Sequence, residues 1–271
     1  MPAGSFPERL PHSCSLIWTI AIVLATGQIV LLTATAFVAG TVDAIGGGGG
    51  LLTLPALVAL GLGPHQALGT NKGQSVFGSL AALGRFARAG MVDRARARIT
   101  FPAGLVGSLL GAALVLVVSP ALLRPLIVVL LVAAAVGMAL RRPTHPRIGP
   151  WQPVTRRAAF VIALVIGAYD GFFGPGTGTF LIVAFAALLG DDLRHATADA
   201  KVVNFASNLA AVVLFSLRGA VIWRLALPMA AAQLAGAALG AHLAIRRGEA
   251  LVRYVVVGVA LALAAKLALD M

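Results

Sequence analysis

Long apolar stretches, separated by short gaps that carry arginines, run along most of the chain. They cover residues 16–44, 50–61, 66–87, 99–118, 121–140, 157–172, 177–189, 195–217, 222–245 and 250–269. Several are long enough for a helix that crosses a bilayer, which takes about 20 residues. The segments 50–61 and 177–189 are shorter, and we expect half-helices or re-entrant pieces there. The pattern predicts an all-α fold, a polytopic transmembrane helix bundle of eight to ten membrane segments.

The composition supports an integral membrane protein. Hydrophobic residues make up 59% of the 271 residues and charged residues 11%, whereas a soluble domain carries about 25% charged residues. The net charge of +12 does not indicate a nucleic-acid partner, because the arginines lie in the gaps between apolar stretches. The single cysteine, Cys14, excludes a disulfide framework. We therefore expect the lipid bilayer, and no nucleic acid, as a partner.

The chain contains the same pattern twice. The first copy has Asp43 followed by glycines from Gly46 to Gly50 and, after an apolar stretch, Lys72. The second copy has Asp170 followed by a glycine-rich break that contains Pro175 and, after an apolar stretch, Lys201. Duplicated halves, each with a glycine-broken apolar segment, are typical of secondary transporters whose site lies between the halves.

Five segments in each half predict a 5+5 inverted repeat, because an odd number of crossings turns the second half over. The predicted units are a first repeat over 16–140, an Arg- and Pro-rich linker over 141–156 and a second repeat over 157–269. With the N-terminus outside, one side of the membrane receives the arginines of the linker and of the gaps after the third and ninth segments. The other side receives only Arg9, Arg124, Arg218 and Arg224. The arginine-rich side should be cytoplasmic.

The glycine clusters should interrupt their helices, because each glycine costs about 1 kcal/mol relative to alanine in a helix. Irregular backbone at membrane depth survives only inside protein or beside a water-filled cavity. The N–H groups of a broken helix suit an anion, so the sequence indicates a site; alternatively, the glycines only allow helices to cross closely.

A charged lysine side chain costs free energy at membrane depth, so two lysines at equivalent positions need a structural or functional explanation. Lys72, Ser75 and Ser79 share one helical face, and so do Lys201, Asn204 and Asn208. We expect both faces to point inward and to supply an anion site. Alternatively, each lysine pairs with an aspartate or extends to the interface.

Asp43 and Asp170 occupy equivalent positions, and Asp199 replaces the Thr70 of the first half. All three aspartates are candidates for proton coupling, and they could equally serve as helix caps or as partners of the lysines. No metal site, catalytic set or cofactor motif is indicated, and we expect a protein that is not an enzyme.

The double motif resembles the signature of the sulfite exporter TauE/SafE family of membrane permeases. The residues that carry the likeness are the Gly40–Gly50 cluster with Leu54-Pro55, the stretch from Gly63 to Asn71, and in the second half Gly167, Gly171, Gly174, Gly176 and His195 to Ala198. The resemblance implies a multi-pass protein of the bacterial inner membrane. It also implies that Gly47, Gly49, Gly50, Thr70, Asn71, Gly174 and Gly176 contribute to a central site.

We therefore expect a secondary transporter, a permease or exporter, of a small anion such as sulfite, a sulfonate or another organosulfur acid. Lys72 and Lys201 would supply charge, while Thr70, Asn71, Ser75, Asn204 and Asn208 would supply hydrogen bonds. A passive anion channel and a non-transporting membrane scaffold are the alternatives. No feature of the sequence indicates an oligomeric state.

Overall fold

A computed structural model describes residues 12–139 and 153–247 of the chain. Within these ranges the chain forms nine α-helices and no strand, which confirms the all-α helix bundle. The helices are α1 (His12–Gly46), α2 (Gly50–Ala59), α3 (Pro64–Arg88), α4 (Arg94–Val117), α5 (Pro120–Ala139), α6 (Pro153–Phe172), α7 (Thr177–Ala184), α8 (Leu193–Leu217) and α9 (Trp223–Arg247). A π-helical turn, Phe185–Leu189, continues α7. The predicted segment 250–269 lies outside the described residues.

The observed helices follow the apolar segments closely and extend beyond them where polar residues cap a terminus. Helix α4 begins at Arg94 rather than at residue 99, because the Asp93 carboxylate accepts from the N–H groups of Ala95 and Arg96. Asp192 caps α8 in the same way, through Arg194 and His195. Helix α6 already begins at Pro153, so the last four residues of the predicted linker form its first turn.

Four of the described helices are long and apolar enough to cross a membrane: Thr26–Gly46, Arg94–Val117, Leu193–Leu217 and Trp223–Arg247. Helix α2 has 10 residues and reaches only about 15 Å, half of the hydrocarbon thickness. Helix α7, with its π-helical turn, is similarly short. Neither short segment crosses the hydrocarbon by itself, which agrees with the half-helices expected from the sequence.

Apolar side chains cover the outside of the bundle, and polar side chains lie inside it. Leu31, Val117 and Leu217 are 64%, 76% and 78% exposed, whereas Lys72, Gln74 and Lys201 are at most 2% exposed. A soluble protein would aggregate through such a surface, but lipid solvates it. The described part of the chain is therefore built for a bilayer.

The main helix pairs occur in equivalent sets. The contact of α4 with α6 corresponds to the contact of α9 with α1. The contact of α3 with α9 corresponds to that of α8 with α4, and α3 and α8 pack on each other at the centre. Exchanging each helix for the one five places along leaves this set unchanged, as an inverted repeat requires. The predicted last segment of the second half lies outside the described residues, so the 5+5 count stays a prediction.

Two G-x-x-x-G pairs allow the backbones of neighbouring helices to approach closely where the helices cross. Gly107 and Gly111 of α4 lie against the carbonyls of Leu164 and Ala168 on α6. In the second half, the α9 pair lies in the same way against the carbonyls of Phe37 and Thr41 on α1; these glycines are Gly236 and Gly240. A Cβ atom at any of these glycines would meet a backbone oxygen within 2.2 Å. These glycines therefore serve helix packing.

Gly111→Ala should destabilise the bundle by about 1–3 kcal/mol, because its Cβ would lie 1.9 Å from the Ala168 carbonyl oxygen and the helices must separate. The measurement is thermal or denaturant unfolding in detergent. Gly84→Ala in α3 is the matched control, since nothing lies within 4 Å of its added Cβ; the control should leave stability unchanged or raise it slightly. Equal effects of the two changes would contradict the packing role.

Candidate functional site

The two helix breaks meet at the centre of the bundle. Gly47 and Gly48 end α1 with φ of 78° and 89°, and Gly174 and Gly176 separate α6 from α7 with φ of 99° and 85°. These left-handed conformations favour glycine. A Cβ on Gly47 would lie 2.2 Å from the N atom of Thr179, so the first break packs directly on the second. The clusters thus serve both close packing and helix interruption.

A cavity of about 30 Å³, enough for roughly two water molecules, lies at this crossing. Seven helices and both breaks contribute its lining: Asp43, Gly48, Gly50, Asn71, Lys72, Ser75, Asp170, Gly174, Gly176, Thr177, Gly178, Asn204, Asn208 and Gln233. The structure therefore brings ten of the predicted site residues to one cavity. The other five lie elsewhere: Gly47, Gly49, Thr70, Asp199 and Lys201.

Both lysines are buried, and each pairs with the aspartate of the opposite half. The Nζ of Lys72 on α3 lies 2.8 Å from Oδ1 of Asp170 on α6. The Nζ of Lys201 on α8 lies 3.0 Å from Oδ2 of Asp43 on α1 and also donates to the Asp43 backbone carbonyl. The two pairs are equivalent under the repeat. They agree with the alternative in which each lysine has an acidic partner, and neither lysine extends to the membrane interface.

The two lysines differ in their access to the cavity. Lys72 forms part of the lining, whereas Lys201 is 0% exposed and lies behind Asp43. Lys201 therefore acts on the cavity through Asp43, and the expected pair of free cations facing one space is not observed. Fully ionised, these two lysines and two aspartates carry no net charge.

Amide side chains supply most of the remaining polarity. The Oδ1 of Asn71 accepts from Thr53 at 2.6 Å and from Gln74 at 3.1 Å, which fixes the orientation of its amide. The Nδ2 of Asn208 donates to the Asn204 carbonyl at 2.7 Å. The Oδ1 of Asn204 and the Oε1 of Gln233 are buried and have no hydrogen-bond partner in the described part of the chain.

Gln233 is a lining residue that the sequence reasoning missed. The repeat places it opposite Gly104, which has no side chain, so a comparison of the two halves gave no indication of it. An amide inside the apolar segment 222–245 was the available signal, because polar groups are costly at membrane depth. The lining residues Gly48, Thr177 and Gly178 also came only from the structure.

Thr70 and Asp199 do not line the cavity and instead hold helix termini. The Thr70 hydroxyl accepts from the Ile222 N–H, just before α9, at 3.0 Å. The Asp199 carboxylate accepts from the Asp93 N–H, just before α4, at 2.9 Å. The same local task at equivalent positions explains why a polar side chain occurs in both halves. The expectation that these residues face the anion site is not met.

Asp199 also belongs to a buried ionic cluster. The Nη1 of Arg96 lies 2.9 Å from Asp199, and the guanidinium contacts both carboxylate oxygens of Asp191, with Nη2 at 3.0 Å. Arg96 is 5% exposed. The cluster connects α4 and α8 with the loop before α8, so Asp199 has a structural task there. No group of His, Cys, Asp and Glu suited to a metal ion occurs in the described ranges.

The comparison with protein families identifies the chain. The model of the sulfite exporter TauE/SafE family matches residues 32–267. The chain belongs to this family. No solved structure matches it.

Curated relatives of similar length support a membrane transporter. The chain is 38% identical to "Probable membrane transporter protein ORF9" of Sinorhizobium sp, covering 91% of this chain and 95% of that protein. It is 38% identical to "Probable membrane transporter protein YfcA" of Escherichia coli K12, covering 87% of each, and 37% identical to a Haemophilus influenzae "Probable membrane transporter protein", covering 89% and 94%. Together with the apolar helices, these relatives show a multi-pass membrane protein of a transporter family.

Arg96→Met should lower the free energy of unfolding by about 3–5 kcal/mol, because it leaves the buried carboxylate of Asp199 and the partly buried one of Asp191 without their cation. The measurement is unfolding in detergent. Arg98→Met is the matched control, since Arg98 is exposed on the same helix, and it should change stability by less than about 0.5 kcal/mol. Similar losses in both variants would show that Arg96 has no special structural role.

Proposed function

We propose that this protein is a secondary transporter of a small anion, which it binds at the central cavity and moves by alternating access. The observation that carries the proposal is the convergence of two helix N-termini, one from each half, on a cavity that Lys72 also lines. We infer a transporter rather than an enzyme, located in the bacterial inner membrane.

The helix termini favour a negative ligand. Gly50 begins α2 and Gly178 lies in the first turn of α7, and both line the cavity. In these first turns the N–H groups of Leu51, Leu52 and Thr177 donate to carbonyls of the breaks, which leaves those of Gly50 and Gly178 for a ligand. The helix dipole adds partial positive charge there. Two such termini beside one ammonium group form a suitable environment for a compact anion.

The amides point to a polar ligand as well. Buried polar atoms are almost always hydrogen-bonded, so the unpartnered oxygens of Asn204 and Gln233 call for a partner. An amide turned by 180° presents its NH₂ group instead. These two side chains can therefore donate to oxygens of the anion or accept from a protonated one.

The description of the family favours sulfite, a sulfonate or another organosulfur acid as the substrate. A cavity of about 30 Å³ supports an anion of few atoms, and a larger one would need the halves to move apart. The direct packing of the two breaks makes relative movement of the halves the natural route. This geometry supports a carrier over a channel.

Replacing the Lys72–Asp170 pair by Lys72→Met with Asp170→Asn should weaken anion binding at least tenfold, about 1.4 kcal/mol. The double change removes the cavity's ammonium group without leaving a buried carboxylate unpaired. The measurement is calorimetric binding and thermal stabilisation in detergent with sulfite, sulfate, thiosulfate and methanesulfonate. Saturable uptake of the same anions into proteoliposomes should fall in parallel.

Thr70→Val provides the control on the same helix. It removes the bond to the Ile222 N–H, which should cost about 1 kcal/mol of stability while anion affinity stays unchanged. Flux that rises linearly without saturation would favour a channel. Absence of binding and flux for the whole anion panel in the unaltered protein would overturn the proposed function and favour a scaffold.

A further inference from the structure

We propose that Asp43 takes up a proton when the anion binds, so that anion and proton are carried together, whereas Asp170 stays ionised as the fixed partner of Lys72. The inference rests on the proposed function and adds the co-transported species and the residue that carries it. It follows from the unequal surroundings of two carboxylates that the sequence repeat makes equivalent.

The charge balance of the site requires a compensating change. Lys72, Lys201, Asp43 and Asp170 sum to zero when all are ionised, so an arriving anion gives the buried site an uncompensated negative charge. Such a charge is expensive in a low-dielectric interior. One proton that moves from water to a carboxylate restores neutrality, and no other bond forms or breaks.

Asp170 is the carboxylate with the larger set of hydrogen-bond donors. Its Oδ1 accepts from Lys72 and from the Thr177 hydroxyl, both at 2.8 Å, and its Oδ2 accepts from the Ser207 hydroxyl. Its side chain is 4% exposed. The Thr177 hydroxyl also lies 2.6 Å from the Gly174 carbonyl and the Ser207 hydroxyl 3.1 Å from the Asn204 carbonyl, so each shares its single proton between two acceptors. Hydrogen bonds from an ammonium group and from hydroxyls stabilise a carboxylate in its charged form. Protonation would also remove the charged acceptor that the described residues offer to the ammonium group of Lys72.

Asp43 is held less firmly and is more accessible. Its Oδ2 lies 3.0 Å from Lys201, but among the described residues its Oδ1 accepts only from the Gly49 N–H, at 3.3 Å. Its side chain is 21% exposed, about five times the fraction for Asp170, and it lines the cavity. Fewer donors and greater access make Asp43 the carboxylate that a proton reaches and neutralises at the lower cost.

Lys201 is arranged to tolerate this change. Besides the carboxylate, its ammonium group donates to the backbone carbonyl of Asp43, which does not titrate. When Asp43 is protonated, Lys201 keeps this acceptor and stays charged behind the cavity wall. The site then carries one net positive charge, which attracts the anion. Lys72 lacks such a second acceptor among the described residues, so the two pairs differ in this respect too.

Among the groups that surround the cavity, Asp43 is the one whose charge we propose to change when the anion binds. Lys201 comes from α8, Lys72 from α3 and Asp170 from α6, while α9 presents the neutral Gln233. The short helices α2 and α7 contain no titratable side chain. Proton uptake on anion binding is therefore assigned to Asp43, within the cluster that it forms with Lys72, Lys201 and Asp170.

Calorimetric titration with methanesulfonate tests the inference, because this anion keeps a single negative charge from about pH 5 to about pH 8 and does not itself exchange protons. Titrations in two buffers of different ionisation enthalpy give the number of protons taken up. The unaltered protein should take up one proton per anion, and its affinity should rise up to tenfold for each unit that the pH falls. Asp43→Asn should bind without proton uptake, with an affinity that no longer depends on pH.

The double variant Lys72→Met with Asp170→Asn is the matched control. It removes one positive and one negative charge, so the site stays neutral and should still take up one proton per bound anion, although its affinity is lower. If either variant fails to fold, the other decides, because the two are expected to behave oppositely. Anion binding without proton uptake by the unaltered protein would overturn the inference and leave the proposed function intact. Retained uptake in Asp43→Asn, or its loss in the double variant, would likewise overturn it, whereas no binding at all by the unaltered protein would overturn the proposed function itself.

Discussion

Two buried lysine–aspartate pairs that cross between the halves are the interaction on which the centre of this protein depends. An isolated ammonium or carboxylate group at membrane depth would cost several kcal/mol, and pairing compensates that cost only with good geometry and additional hydrogen bonds. The Lys72–Asp170 pair meets this demand with two hydroxyl donors, and the Lys201–Asp43 pair with a backbone carbonyl. Because each pair joins one half to the other, the charges that the site needs also hold the halves together.

Glycine permits this arrangement by allowing backbones to meet. The breaks at Gly47 and Gly178 touch each other, and the G-x-x-x-G pairs bring α4 onto α6 and α9 onto α1. Close packing fixes the depth at which α1 and α6 end, and therefore the places where Asp43 and Asp170 meet their lysines. The same breaks place the first turns of α2 and α7 beside the cavity, through Gly50 and Gly178. One type of residue thus serves both the architecture and the electrostatics of the site.

Equivalent positions of the two halves keep a similar side chain where both must hold a helix terminus, and they differ where the side chains line the cavity or form ion pairs. Thr70 and Asp199 both accept an N–H group that precedes the partner helix, yet only Asp199 also pairs with Arg96. Gln233 contributes an amide where the other half has Gly104 and no side chain. Asp43 and Asp170 are equivalent in sequence but unequal in exposure and in donors. A site between such halves is symmetric in backbone and asymmetric in chemistry.

The sequence by itself determined the helical membrane fold, the helix positions to within a few residues, the family and ten of the residues that line the cavity. Hydropathy, glycine clusters and a repeated lysine are local or periodic signals, and these can be read along a chain. Only the tertiary structure decided which acid each lysine meets, that Thr70 and Asp199 hold helix termini, and that Gln233 faces the cavity. Those outcomes depend on contacts between residues 98 or more positions apart, and the rotation of each helix about its axis sets them.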